Sequence, residues 1–192
     1  SNKDGLSGVA TGFDKLDLLT SGWQPSDLIV IAARPGMGKT ALTLSMARNI
    51  AVLKKTPVAF FSLEMSSVQL ITRLISAETG LTSEKLRTGK LESHEWEQLN
   101  VKVGDLEKAP LYIDDSPSLS IFDLRAKARR LSSKHGIQLI IVDYLQLMTS
   151  GTTSKTGNRE QEISSISRNL KALAKELNVP VIALSQLSRA VE

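Results

Sequence analysis

Short apolar runs alternate along the chain with longer stretches whose hydrophobic residues recur every three or four positions. Leu28 to Ala33, Val58 to Leu63, Leu111 to Ile113, Leu139 to Val142 and Val181 to Leu184 are rich in β-branched residues and mostly uninterrupted by charge. Runs of this kind predict strands buried on both faces, as in a parallel sheet. Between them lie helix-like segments. Glu160 to Leu177 sets Ile163, Ile166, Leu170, Leu173 and Leu177 on one helical side, with Asn158 and Gln161 spaced as an N-cap and its reciprocal partner. Ile121, Leu124, Ala128 and Leu131 mark another helix. Strand then helix, repeated, predicts an α/β fold: a mostly parallel, doubly wound sheet flanked by helices.

Thr149 to Gly157 (TSGTTSKTG) has no apolar residue and follows a predicted central strand, so a mobile loop is expected there. No repeat of 20 to 50 residues and no second-domain linker stand out, which makes residues 1–192 one domain. The last strand run stops a few residues before Glu192, so that domain is expected to be incomplete at its C-terminal side.

Composition narrows the class without naming a chemistry. The chain has 192 residues, 41% hydrophobic and 23% charged, near the averages for a globular domain. No stretch approaches the ~18 apolar residues of a membrane span. There is no cysteine, which removes disulfides and thiolate metal sites, and no leader pattern; together these predict a cytoplasmic protein. The formal charge of +4 is too small to announce nucleic acid. Arg125, Lys127, Arg129, Arg130 and Lys134 form the densest basic run, to be read as a solvated helix face or as a contact with nucleic acid or another subunit.

Chemistry first becomes visible at Ala33 to Thr40 (ARPGMGKT), which fits the phosphate-loop pattern G-x-x-x-x-G-K-[ST] at Gly38, Lys39 and Thr40, with Ala33 in place of the first glycine. A strand run ends there and an apolar-periodic stretch through Ala41, Leu42, Leu44, Met46, Ala47 and Ile50 begins, which is the context the pattern requires. A polyphosphate has to be wrapped by main-chain N–H groups. Gly36 and Gly38 let the backbone curl without Cβ clashes, and the following helix turns its positive dipole end to the anion. Arg34, Pro35, Gly36, Met37, Gly38, Lys39, Thr40 and Ala41 are therefore candidate nucleotide contacts. Lys39 would reach the β and γ phosphates, and the Thr40 hydroxyl would take one position on Mg²⁺. The bland alternative is a Gly-rich turn with an exposed lysine.

Three polar residues close strand runs, where ligands bind in open α/β sheets. Asp143, after LIIV, has the position of a carboxylate that holds Mg²⁺ through its waters, against a plain turn or capping aspartate. Glu64, after VAFFSL, could orient and deprotonate an attacking water, or simply open the next helix. Gln186, at the end of VIALSQ, could hydrogen-bond a γ-phosphate and report its loss, or cap a helix.

Taken together, ATGFDKLDLLTSGWQPSDLIVIAARPGMGKTALTLSMA, FFSLEMS, LIIVDYLQLM and NREQEISSISRNLKALAKELNVPVIALSQLSR resemble the successive blocks of DnaB-type replicative helicases, in that family's order and over nearly the whole chain. The alanine at Ala33 also resembles the family's own version of the loop. The resemblance implies a RecA-like P-loop NTPase core, working with ATP and Mg²⁺ in a homohexameric ring that encircles single-stranded DNA and unwinds duplex. It makes Glu64 and Lys39 catalytic, Thr40 and Asp143 the metal contacts, and Gln186 a γ-phosphate sensor. Arg73 resembles a position lying against the nucleotide base, and Arg159 a region facing the DNA channel. Primase and a helicase loader are implied as partners. The family's motor continues past Glu192 with a DNA loop and an arginine finger, and carries an N-terminal primase-interacting domain outside this chain. A trans arginine is worth about 10³ to 10⁵ in rate in related systems, so the chain alone is expected to hydrolyse ATP poorly. Two other readings compete: a RecA-like recombination or repair ATPase, and a nucleotide-dependent assembly protein without catalysis. Single-stranded DNA should stimulate the parent's ATPase only where DNA is the track.

Overall fold

The structure, a computed structural model, describes residues 5–149 and 159–187. The expected loop lies outside them from residue 150 onward, as does Asn158 with its capping role. Five strands form one sheet: β1 (Leu28–Ala33), β2 (Val58–Ser62), β3 (Leu111–Asp114), β4 (Leu139–Asp143) and β5 (Val181–Gln186), in spatial order β1-β5-β4-β2-β3 with every pairing parallel. All five apolar runs are strands.

Successive residues of the inner strands face opposite ways, as strand geometry requires. Ala59, Phe61, Ile140, Val142, Val181 and Ala183 pack with α6 (Ile121–His135) and α7 (Arg159–Leu177). Val58, Phe60, Leu139, Ile141, Ile182 and Leu184 pack with α2 (Lys39–Arg48) and α3 (Ser67–Thr79). β2 and β4 are buried along their whole length because helices cover both faces.

β1 departs from the expectation of burial on both faces. Among the described residues it has a strand partner only in β5, and its residues are half-buried or exposed, with Val30 51% exposed. An uninterrupted apolar run says that a strand is apolar, and leaves open whether it lies inside the sheet or at its edge.

Helix ends follow local chemistry. Ser66 accepts a hydrogen bond from the Gln69 N–H and Gln69 answers by accepting the Ser66 N–H, a reciprocal cap that starts α3. Ser120 caps α6 through the Asp123 N–H. The apolar pattern did not single out α1 (Asp14–Thr20), α4 (Ser83–Thr88) or α5 (Ser93–Lys108). α4 buries no residue, and α1 and α5 each bury only an acidic one, Asp17 and Glu95.

Strand register fixes where the site forms. Ala33 stands beside Gln186 and Ser62 beside Asp143, so four strands bring their carboxyl ends to one edge of the sheet.

Candidate active site

The loop after β1 turns through Gly36 (φ 76°) and Gly38 (φ 80°), a left-handed conformation that side chains with a Cβ rarely adopt. Gly38 stands at the N-cap of α2, and its carbonyl accepts the Leu42 N–H at 2.9 Å. Lys39 and Thr40 thus occupy the first turn, where N–H groups have no partner within the helix.

Beneath this turn lies Asp143, fully buried at the end of β4. The Thr40 hydroxyl donates to its Oδ2 at 2.9 Å. Oδ1 has no hydrogen-bond partner; the Lys39 ammonium, 3.9 Å away, is within ion-pair range but too far for a hydrogen bond. Burial pushes the Asp143 carboxyl above its ordinary pKa, against the Thr40 hydrogen bond and the Lys39 charge, which pull it down. The Lys39 ammonium also sits 4.2 Å from the centre of the Tyr144 ring, a cation–π contact. Burial raises the pKa of the Tyr144 hydroxyl, helped by the charges of Glu64 and Asp143.

Glu64 is exposed just past β2. The Leu63 N–H donates to the Asp143 carbonyl at 2.8 Å, which pins the end of β2 against β4. The Ser62 hydroxyl then donates to the Met65 carbonyl at 2.7 Å and accepts the Met65 N–H at 3.2 Å, closing a turn that carries Glu64.

A cleft of about 350 Å³ is lined by Arg34, Pro35, Gly36, Gly38, Lys39, Thr40 and Ala41, and also by Glu64, Arg73 and Gln186. Most of the residues singled out from the sequence therefore meet in one place. Met37, 72% exposed, is outside the lining, and so is the buried Asp143. Arg73, exposed on α3, borders both this cleft and a groove formed with Met65, Val68 and Leu86. Arg159 is not part of the cleft: its guanidinium pairs with Glu162 and donates to the carbonyls of Gln146 and Met148.

The basic run on α6 is largely engaged within the chain. Arg129 pairs with Glu176 at 2.6 Å, Arg125 with Asn169 at 3.1 Å and Glu176 at 3.4 Å, and Lys127 with Asp114 at 2.6 Å. Three of its five charges are thereby paired, which favours the solvated helix face over a contact with nucleic acid or another subunit.

Ser62, Tyr144 and Gln146 were missed by sequence reasoning. The signal for Gln146 was a single amide inside the apolar stretch LQLM, and for Tyr144 an aromatic ring directly after the strand-end aspartate.

A clustered hydroxyl and carboxylate, both oxygen donors, fit a hard divalent cation better than a soft one. The buried, unpartnered Oδ1 of Asp143 fits the same conclusion, since an anionic oxygen in that setting gains most from a cation.

The family model of the DnaB-like helicase C-terminal domain matches residues 8–192. The chain is 54% identical over its whole length to the replicative DNA helicase DnaB of Geobacillus stearothermophilus, and 48% identical to the replicative DNA helicase DnaC of Bacillus subtilis; it spans 42% of each. Among solved structures, one described as an ATPase domain superposes with a TM-score of 0.91 at 36% identity, covering 98% of this chain and 67% of that one. A DnaB-like replicative helicase studied for its interactions with primase superposes at 0.90, also at 36% identity, covering 98% of this chain and 46% of that one.

Proposed function

Because the chain belongs to the DnaB-like helicase C-terminal domain family, we propose that it is the ATP-hydrolysing motor of a replicative DNA helicase. The observation that carries this reading is the stack of Lys39, Thr40 and the buried Asp143 at the carboxyl edge of a parallel sheet, with Glu64 lining the same cleft.

In the proposed mechanism the N–H groups from Gly36 to Ala41 take the triphosphate, with the dipole of α2 behind them. Lys39 moves from Tyr144 and Asp143 onto the β and γ phosphates, exchanging an aromatic face and a carboxylate for two anionic groups. Thr40 would hold Mg²⁺ directly and Asp143 would hold it through water; when bound, the ion neutralises charge on the phosphate oxygens. Glu64, which lines the cleft, accepts a proton from the attacking water. Gln186 donates its amide to the γ-phosphate, and Arg73 lies against the base.

The same reading makes the working form a ring of six copies around single-stranded DNA in the cytoplasm, with Arg159 toward the DNA and with primase and a loader as partners. Among the described residues no helix is long and apolar enough to cross a membrane.

The parent protein carrying Glu64→Gln tests the assignment. It should bind Mg-ATP as the unaltered protein does, while DNA-stimulated turnover falls by roughly 10² to 10⁴. Turnover within a few-fold of the unaltered protein would remove Glu64 from the chemistry; absence of nucleotide binding by the unaltered protein would remove the reading itself.

A further inference from the structure

β4 and β5 pair only as far as Val142 and Ala183, because β4 ends at Asp143 and the chain turns away. β5 continues to Gln186 with β1 on its other side, where the Leu187 N–H reaches the Ala33 carbonyl at 3.0 Å. On the β4 side, the main-chain groups of Gln186 are thus left without a strand. The side chain of Gln146 takes them. Its Oε1 accepts the Gln186 N–H at 3.1 Å, and its Nε2 donates to the Gln186 carbonyl at 3.1 Å and to the Ser185 hydroxyl at 2.9 Å. One amide therefore replaces the missing strand at the residue that lines the cleft.

Gln146 is itself held. It lies in a single 3₁₀ turn, Leu145–Leu147, whose neighbour Leu145 is buried in the core beside α6 and α7. Its own carbonyl accepts a hydrogen bond from the Arg159 guanidinium at the start of α7. A half-buried glutamine gripped from both sides has little rotamer freedom left, as an orienting group needs.

We propose that Gln146 is a positioning residue for nucleotide hydrolysis: its amide fixes the end of β5 so that the Gln186 side chain meets the γ-phosphate, and Arg159 ties that amide to α7. This rests on the reading of Gln186 as a γ-phosphate contact. Gln146 touches no phosphate in this scheme, so its removal should slow turnover without weakening nucleotide binding.

The test is a double-mutant cycle on DNA-stimulated ATP hydrolysis by the parent protein. Gln146→Met keeps the length and apolar body of the side chain and removes all three hydrogen bonds. Alone it should lower kcat by roughly 10- to 100-fold, since a misplacement of about 1 Å can cost on the order of 10²-fold, with KM for Mg-ATP within about twofold. Combined with Gln186→Ala it should add almost nothing, because the group it positions is gone. Should Gln146→Met not fold, Gln146→Glu carries the same cycle: it still accepts the Gln186 N–H but sets a carboxylate oxygen against the Gln186 carbonyl. Losses that multiply in the double variant, or an unchanged kcat beside a slowed Gln186→Ala, overturn the proposal alone. Unaltered turnover in Gln186→Ala overturns the reading of Gln186 and the proposal with it.

Discussion

Asp143 is a carboxyl group raised above its ordinary pKa mainly by burial, with its Oδ1 unpartnered and the Lys39 ammonium 3.9 Å away. A carboxyl whose folded-state pKa exceeds the unfolded value of about 3.9 favours the protonated form in the folded protein. Its contribution to stability is then greatest in acid and diminishes as pH rises from the unfolded value through the raised one. A cation held beside Asp143 would favour the ionised form instead, so any proton on the carboxyl would leave as the cation bound. Mg-ATP binding should therefore weaken as pH falls through the raised value, with net proton release in that interval. Calorimetry in buffers of different ionisation enthalpy counts the proton, and Asp143→Asn should abolish that pH-dependent part; no proton release at any pH would contradict the assignment. The residues involved were legible unequally. Lys39, Thr40 and Asp143 sit at fixed offsets from strand ends, which a sequence displays directly. Gln146 acts on a residue 40 positions away, and Tyr144 on Lys39 from the end of a different strand; contact rather than spacing gives them their parts.

At the level of elements, α3 carries Arg73 to the cleft and begins at the reciprocal pair Ser66 and Gln69, with the Ser67 N–H donating to Asp115 at 2.8 Å. Side chains thus satisfy first-turn donors that would otherwise face water. Ser66→Ala should cost about 1 kcal/mol of stability, read as a lower urea midpoint with an unchanged slope, while Ser66→Asp should keep most of it. An unshifted midpoint in Ser66→Ala would mean that the cap is idle. Strands were the most legible elements, because β-branched runs without charge can satisfy few other environments. Edge position was not legible at β1: the same LIVIAA run suits a covered strand and one with Val30 half in solvent. α4 was hidden for the opposite reason, since it buries no residue, while α5 spaces Trp96, Leu99, Val103 and Leu106 at helical steps but leaves them half-buried or exposed among charged neighbours.

On the scale of the molecule, one sheet edge collects the ends of four strands beside the cleft, where the proposed function puts a single ligand. Loading that ligand should stabilise the whole fold, by about 2.7 kcal/mol when Mg-ATP is present at 100 times its dissociation constant. The expected readout is a rise in Tm of the unaltered protein that Lys39→Ala fails to show; an equal rise in both would point to a second binding place. The Thr40 hydroxyl decides how ready that edge is. Such a group owns one proton and two lone pairs, and here the proton is already committed behind it, to Asp143. Among the described residues nothing donates to either lone pair. Coordination can then begin without first breaking a contact, so threonine at this point is a socket wired on its inner side and open on its outer one. Serine would preserve that wiring, whereas valine, equal in shape, would leave the aspartate with two bare oxygens and the ion with one anchor fewer.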